Sequence, residues 1–296
     1  MATSPATKSA TISRILFATD FSPCSELALS YAVALTSQFG ASLQILHVLL
    51  PPNVPPALSD SLTHIPSDQK ETERQFRLLE NSGKLRRADH SVYIRRGSVW
   101  QGIEEVLRSH HADVIVIGTH GHGGMKKVLV GSRAEEIVRL APCPVLTVGP
   151  HVFRVPADLE FKRILYATDF LAGSLLAVPY VVCFAEKSQA ALTLLHAIED
   201  SAAVNSSIPE RTPKGAFERM QQLMPGDKKL HPPSHVLAKF GPPADTILKV
   251  AEEEKSDLIV MGVRPARAVV AATHIPRTVL NQVVSHAACP VLTVRG

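Results

Sequence analysis

Short apolar runs alternate with amphipathic segments along the whole chain. Ile15–Ala18 is a fully apolar run of the kind that forms a buried strand. Ser22 and Pro23 then open a segment whose apolar side chains recur at helical spacing, at Leu27, Ala28, Tyr31, Ala32 and Leu35. This pattern predicts a helix from Ser22 to about Gln38, closed by Gly40.

The same pattern continues through the first half of the chain. It predicts further strands at 43–49, 91–95, 114–117 and 145–148, and further helices at 68–82, 98–109 and 132–140. Strands that alternate with helices form a parallel, doubly wound sheet with right-handed crossovers. Ligands of such sheets bind beyond the carboxyl ends of the strands, where the strand order reverses.

The second half repeats the first. Arg14–Phe21 recurs as Arg163–Phe170, 149 residues later. Three more blocks recur in the same order: Leu46-His47 as Leu195-His196, Asp113–Gly118 as Asp257–Gly262, and Cys143–Val148 as Cys289–Val294. Four ordered matches predict two tandem Rossmann-like α/β domains, residues 1–149 and 163–296, joined by a linker at 150–162. Each is expected to hold a five-stranded parallel sheet with helices on both faces.

Composition narrows the class of protein. The 296 residues are 45% hydrophobic and 20% charged, as in globular proteins, and the aromatic share of 5% leaves a core of Val, Ile, Leu and Ala. A net charge of +4 from scattered Lys and Arg does not indicate nucleic-acid binding. A polar start and the lack of a 20-residue apolar run predict a cytoplasmic protein without a membrane span. The four cysteines form no CxxC pair, which argues against a disulfide framework or a metal site.

Residues that can bind a ligand follow two of the predicted strands of the first domain. Asp20 follows the first strand, where a carboxylate can bond a ribose hydroxyl or a phosphate-bound metal ion. After the fourth strand come Gly118-Thr119-His120-Gly121 and, after nine intervening residues, Gly131-Ser132 at a helix start. Glycines let backbone N–H groups approach an anion, and a helix N-terminus adds its dipole. This spacing predicts a phosphate-binding loop.

These motifs resemble those of the ATP-binding universal stress proteins. The resemblance rests on the Gly-x2-Gly-x9-Gly-Ser spacing, the strand DVIVI before it, the block CPVLTV after it, and the opening ILFATDFS with LHV at 46–48. It covers nearly the whole chain, as a tandem member of the family.

The resemblance implies that the first domain binds ATP, or another adenine nucleotide, together with Mg²⁺. The base would lie near Val48 and the strand backbone at Ala18 and Thr19, and Asp20 near the ribose or the metal ion. The phosphates would lie on the loop formed by Gly118, Thr119, His120, Gly121, Gly131, Ser132 and Arg133. The resemblance further implies that the two domains pair as a pseudo-dimer through their last strands, with further pairing between chains.

The second domain departs from the motif. Gly262 remains, but Pro265 stands at the second glycine position and offers no N–H. The Gly-Ser pair falls on Ile275-Pro276 when counted forward, or on Arg277-Thr278 when counted back from the CPVLTV block; the second alignment keeps the helix register. Ala197 replaces the valine near the base. We therefore expect one nucleotide per chain, bound in the first domain.

Three hypotheses about function follow. The leading one is a nucleotide-dependent stress-response or regulatory module that binds ATP without catalytic residues. The alternative is slow ATP hydrolysis or phosphoryl transfer at the same loop, although no general base or arginine finger is evident beyond the loop cations. The third is an interaction scaffold that binds no ligand.

Overall fold

A computed structural model describes residues 10–50, 69–119, 130–153, 161–199, 209–223, 235–263 and 278–296. The chain forms two compact units, one within residues 12–159 and one within 160–296, and residues 10–11 group with the second. The two units correspond to the two halves of the internal repeat.

The first unit alternates strands and helices in the expected order. Its strands are β1 (Arg14–Thr19), β2 (Ser42–Leu49), β3 (His90–Arg96), β4 (Val114–Gly118) and β5 (Val145–Val148). Its helices are α1 (Pro23–Phe39), α2 (Gln69–Asn81), α3 (Val99–His110) and α4 (Ser132–Leu140). Every boundary lies within one residue of its predicted position, because apolar periodicity and cap residues both mark these ends.

Helix α1 shows how local chemistry fixes an element. The side chain of Ser22 accepts a hydrogen bond from the Ser25 N–H, and Pro23 occupies the first turn, where its missing N–H costs nothing. Gly40 ends the helix at φ 67°, a left-handed conformation, and its N–H donates to the Thr36 carbonyl. The cap residues therefore start and end this helix where the sequence predicts.

The first sheet has the strand order β3-β2-β1-β4-β5, and all neighbouring strands are parallel. Ile15, Leu16 and Phe17 of β1 are at most 1% exposed, so this strand is covered on both faces. The chain moves from β1 outward to β3 and then returns to place β4 on the other side of β1. The strand order therefore reverses between β1 and β4, where a ligand crevice is expected.

The second unit has the same plan. Its strands are β6 (Arg163–Ala167), β7 (Ala191–Ile198), β8 (His235–Phe240), β9 (Leu258–Val263) and β10 (Val291–Arg295). Its helices are α5 (Ala172–Ser188), α6 (Pro213–Leu223), α7 (Pro243–Glu253) and α8 (Val279–His286). The strand order is β10-β9-β6-β7-β8, again with parallel pairing, and β6 lies beside β9 as β1 lies beside β4.

One stabilising device recurs in both units and was not predicted. The carboxylate of Asp113 accepts hydrogen bonds from the backbone N–H groups of Ser13-Arg14, at 2.8 and 2.9 Å, where β1 begins. In the second unit, Asp257 accepts in the same way from Lys162-Arg163 at 2.8 and 3.0 Å. Burial raises the pKa of Asp257 even though these N–H groups favour the charged form. Each carboxylate thus ties the start of the first strand to the start of the fourth.

The predicted fold class is confirmed: each unit is a Rossmann-like α/β domain with a five-stranded parallel sheet. Among the residues that the structure describes, no helix is long and apolar enough to cross a lipid bilayer.

Candidate functional site

A cavity of about 90 Å³ lies at the carboxyl ends of β1, β2 and β4 in the first unit. Six residues that the sequence singled out line it: Ala18, Thr19, Asp20, Val48, Gly118 and Arg133. The topology brings them together, because parallel strands place their carboxyl ends on one edge of the sheet and α4 begins at that edge.

The remaining predicted residues lie elsewhere or outside the described part of the chain. Gly131 and Ser132 immediately precede Arg133 at the start of α4, and Thr119 follows β4. His120 and Gly121 fall outside the described residues, as do Pro265 and Arg277 of the second domain. For all of these positions, contact with a nucleotide stays a prediction.

A tight turn connects β1 to α1 at the cavity wall. Thr19 Oγ1 accepts a hydrogen bond from the Phe21 N–H at 2.9 Å, and Asp20 Oδ1 accepts one from the Ser22 N–H at 3.0 Å. Phe21 lies at φ 59°, in the left-handed region that non-glycine residues rarely adopt. The turn is therefore held by two side chains, and the partly buried carboxylate of Asp20 is oriented at the cavity by the Ser22 N–H.

His47 is a cavity-lining residue that sequence reasoning did not select as a site residue. Its Nδ1 lies 2.8 Å from the Thr19 carbonyl oxygen, and its ring packs against Phe21 with centroids 4.9 Å apart. The side chain is 1% exposed. The recurrence of Leu-His in both domains was the available signal, and the structure shows that the histidine braces the turn after β1.

Gly118 has a packing role that the loop motif does not reveal. A Cβ at this position would stand 2.9 Å from the carbonyl carbon of Cys24 and 3.0 Å from the Ser25 nitrogen, both in α1. Real Cβ atoms do not approach backbone this closely, so the glycine allows α1 to pack against the end of β4. Helix packing therefore accounts for a glycine at position 118, whether or not a phosphate approaches this residue.

The two ends of the predicted phosphate loop are joined by backbone hydrogen bonds. The Gly131 N–H donates to the Thr119 carbonyl at 3.0 Å, and the Thr119 N–H donates to the Val148 carbonyl at 3.1 Å. Thr119 is 1% exposed, and its hydroxyl donates to the same Val148 carbonyl at 3.3 Å. The base of the loop is thereby fixed to the ends of β4 and β5.

Helix α4 begins without a capping side chain. Its N-cap residue is Gly131, whereas Ser22 caps α1 and Ser98 forms a capping box with Gln101 at the start of α3. The first N–H groups of a helix have no partners within the helix, and they carry the positive end of its dipole. Arg133 lies in this first turn and lines the cavity, so the start of α4 presents both backbone donors and a cation. Such an arrangement can hold an anion.

The second unit uses the corresponding residues differently. Thr278 caps α8 by accepting a hydrogen bond from the Asn281 N–H at 3.2 Å. Helix α8 ends at His286, 146 residues after the end of α4, in agreement with the alignment that pairs Thr278 with Ser132. The Thr278 hydroxyl thus already accepts from one of the first N–H groups of α8, which could otherwise bind an anion.

The turn after β6 repeats the hydrogen bonds of its counterpart and adds one to the aspartate. Asp169 Oδ1 accepts hydrogen bonds from the Leu171 N–H at 3.0 Å and from Ser174 Oγ at 2.8 Å. A Cβ on Gly262 would stand 2.1 Å from the Ser174 nitrogen, so α5 lies closer to β9 than α1 does to β4. Gly173, which replaces Cys24 of the first unit, allows this approach; a Cβ there would stand 2.7 Å from the Val263 carbonyl oxygen.

Burial sets the protonation of several groups in the two units. It lowers the pKa of His196, whose Nδ1 lies 2.7 Å from the Thr168 carbonyl oxygen, and it raises the pKa of Tyr166 to about 12. Burial also raises the pKa of the Cys143 and Cys289 thiols to about 12. These groups are neutral at pH 7, and neutral thiols are poor nucleophiles and poor metal ligands.

The fold and the cavity define a class of protein: a tandem pair of Rossmann-like domains, with a ligand-type crevice at the strand ends of the first. The sequence pattern of the universal stress protein family matches residues 11–149 and again residues 160–295. The chain belongs to the universal stress protein family, and it carries two domains of that family in tandem.

Several universal stress proteins are similar to this chain. The chain is 31% identical over 138 residues to universal stress protein A homolog 1 of Coxiella burnetii, covering 45% of this chain and 94% of the relative. The crystal structure of a universal stress protein from Archaeoglobus fulgidus matches 95% of this chain and 98% of its own, with a TM-score of 0.66 and 21% identity. A universal stress protein solved in complex with cAMP matches 46% of this chain, with a TM-score of 0.34 and 22% identity.

Proposed function

We propose that the first domain binds ATP with Mg²⁺ and acts as a nucleotide-dependent regulatory module in the stress response. The observation that carries the proposal is the meeting of a partly open cavity, at the strand-order reversal, with the uncapped start of α4 and Arg133. Nucleotides need this combination of an apolar pocket and an adjoining anion site.

The cavity offers both apolar side chains and backbone hydrogen-bonding groups, and a nucleotide base can use both. Val48, Ile117 and Ile137 give it apolar walls, and the backbone at Ala18 and Thr19 can meet the polar edge of a base. At about 90 Å³ the cavity is smaller than the roughly 300 Å³ at which ligand pockets usually begin. In this proposal it holds the base alone, and the sugar and phosphates extend along the start of α4.

Asp20 and Arg133 have opposite roles in the proposal. The partly buried carboxylate of Asp20 accepts a ribose hydroxyl or completes the coordination of Mg²⁺, which binds nucleotides through phosphate oxygens and one or two carboxylates. Arg133 and the first N–H groups of α4 neutralise the phosphates. Among the described residues, His, Cys, Asp and Glu do not gather in threes as a metal cluster, so the nucleotide supplies most of the ligands of the ion.

The second domain does not share this function in our proposal. The hydroxyl of Thr278 already accepts from the first turn of α8, and Asp169 is engaged by Ser174. A phosphate would have to displace the cap, which costs about 1 kcal/mol in itself. The second domain then contributes structure or regulation, and the chain binds one nucleotide.

Location and assembly are further parts of the proposal, and they rest on the family resemblance. We propose a cytoplasmic protein whose two domains pair as a pseudo-dimer and whose chains form a homodimer. Sedimentation equilibrium tests the last point, since a dimer has twice the 32.0 kDa mass of the chain. A single species at the chain mass at micromolar protein concentration would remove the homodimer from the proposal.

Isothermal titration of the full chain with ATP and excess Mg²⁺ tests the function. We expect saturable binding with a stoichiometry near one per chain and competition by other adenine nucleotides. GTP at equal concentration serves as the control for unspecific phosphate binding. A folded protein that shows no heat and no thermal shift at millimolar ATP would contradict the proposal, and release of inorganic phosphate in the same samples would add the slow hydrolysis considered above.

A further inference from the structure

Gly102 lies on the face of α3 that packs against β2, directly behind a wall of the cavity. A Cβ at this position would stand 2.5 Å from Val48 Cγ2 and 3.5 Å from Val48 Cγ1. Gly102 itself does not line the cavity, but Val48 does. A glycine inside a helix costs about 1 kcal/mol relative to alanine, so its presence here calls for a packing reason, and the contact with Val48 supplies one.

The side chain of Val48 can yield to a larger neighbour in only one way. Valine holds methyl groups in two of the three staggered positions around χ1, and here both face Gly102. Rotation about χ1 can clear the position nearest to Gly102 only by placing a methyl group in the third staggered position, where the Cβ hydrogen now lies. The other way to relieve the contact is for α3 to move away from β2, and Val99, in the first turn of α3, also lines the cavity. Either movement displaces a cavity wall.

The second domain carries the opposite pair of residues. The N–H of Gly97 donates to the Leu49 carbonyl at 3.1 Å, and that of Gly241 donates to the Ile198 carbonyl at 3.0 Å, which fixes the structural alignment. In this register, Ala197 stands for Val48, and Thr246, which is 8% exposed, stands for Gly102. The first domain thus has a large strand residue against a helix glycine, whereas the second has a small residue at the strand position and a larger one at the helix position.

We propose that Gly102 is a positioning residue that sets the width of the base pocket through Val48. This inference rests on the proposed binding of a nucleotide in the first domain. The absence of a side chain at 102 lets Val48 sit against α3, and this keeps the pocket wide enough for a planar base.

A double-mutant cycle on the full chain tests the inference with Mg²⁺-ATP as the probe. G102A is expected to weaken ATP binding by about tenfold, which is about 1.4 kcal/mol, because the added methyl group displaces a wall of the base pocket. V48A removes a wall contact and weakens binding by a few-fold. In the V48A background, G102A is expected to change the affinity less than about twofold, because the atoms that clash are gone. Ser109→Ala, on the exposed side of α3, is the matched control and leaves affinity unchanged.

The outcomes separate the inference from the function on which it rests. If the wild-type chain binds no ATP, the proposed function fails, and this inference fails with it. If the wild-type chain binds and G102A binds equally well, or the two effects are additive, only the role of Gly102 is overturned. Should G102A alone not fold, the comparison of V48A with V48A/G102A decides: a folded double variant that matches V48A supports the inference, and one that loses binding overturns it.

Discussion

The turns after the first strands of the two domains are nearly the same, whereas the starts of their last helices are not. In both turns a threonine accepts from the N–H of a left-handed phenylalanine, Phe21 or Phe170, and a histidine ring packs on that phenylalanine. The last helix begins at a bare glycine in the first domain and at a capping threonine in the second. The duplicated fold has therefore kept its internal supports while the anion-facing end has changed.

This comparison separates the residues that support the fold from those that can contact a ligand. The glycine at the end of the fourth strand is present in both domains because a helix packs on it in both. The aspartate after the first strand is present in both because it holds the following N–H. Neither residue by itself marks a binding site. Among the described residues, the last helices differ at their starts: α4 has no side-chain cap and carries Arg133, whereas α8 is capped by Thr278.

The largest expected effect concerns the packing that the domains share. Gly262→Ala should lower the free energy of unfolding of the second domain by about 3 kcal/mol, because its Cβ would overlap the backbone of α5. Gly118→Ala should cost less, about 1–2 kcal/mol, since its Cβ would stand 2.9 rather than 2.1 Å from the helix.

Urea unfolding of each variant measures this order. Trp100 in α3 is the only tryptophan of the chain, so its fluorescence reports on the first domain, and circular dichroism reports on both. Gly262→Ala should shift the dichroism while leaving the Trp100 transition nearly in place. Equal losses for the two variants would contradict the closer packing of the second domain.

Arg133→Ala tests the anion site of the first domain. It should weaken ATP binding by about tenfold or more, because a charge-assisted hydrogen bond contributes about 1.5–3 kcal/mol. Arg139→Ala, on the same helix but paired with Glu135 at 2.8 Å, is the control for loss of a positive charge. Titration calorimetry of both variants against the wild type gives the comparison, and similar losses for the two would place the phosphates away from the start of α4.

Gly131→Ser would give α4 a hydroxyl at its N-cap position, as Thr278 gives α8. The new hydroxyl can accept from the first turn of α4, as Thr278 does in α8, so it should compete with phosphate and lower ATP affinity by several-fold. Gly131→Ala adds the same Cβ, 3.0 Å from the Thr119 carbonyl oxygen, but no hydroxyl. A larger loss in the serine variant than in the alanine variant is the expected sign of capping, and equal losses would attribute the effect to the Cβ alone.

Thr278→Ala tests the cap from the other side. Loss of an N-cap hydroxyl costs about 1 kcal/mol, so the thermal midpoint of the second domain should fall by a few degrees. Restoration of ATP binding in the second domain is not expected, because Asp169 stays engaged by Ser174. Differential scanning calorimetry measures the midpoint, and an unchanged value would show that this cap does not stabilise α8.

The smallest expected effect is a pH dependence of stability from His196. Burial lowers its folded-state pKa below the value of 6.5 for the unfolded chain, so unfolding takes up a proton in acid. The stability linked to this histidine is present above pH 6.5 and is lost as the pH falls through 6.5 towards the folded-state value. Thermal midpoints from pH 7.5 to 5.5 should therefore fall more steeply in the wild type than in His196→Gln. Parallel slopes for the two proteins would contradict this reading.

The sequence by itself determined the fold and most of its boundaries. Apolar periodicity and local caps such as Ser22 and Gly40 act over a few residues, and those few residues are adjacent in the chain. The repeat was visible for the same reason, since each block is a short contiguous string. The sequence also selected six of the cavity-lining residues, because in a parallel sheet the strand ends share one edge.

Only the tertiary structure decided how closely these elements approach one another. It showed that Gly118 serves the packing of α1, that His47 supports the turn after β1, and that Gly102 lies against Val48. These contacts join residues far apart in the chain, at distances set by the packing of whole helices on a sheet. Residue spacing carries no such distances, so the motif identified the crevice while the folded structure assigned each glycine its physical role.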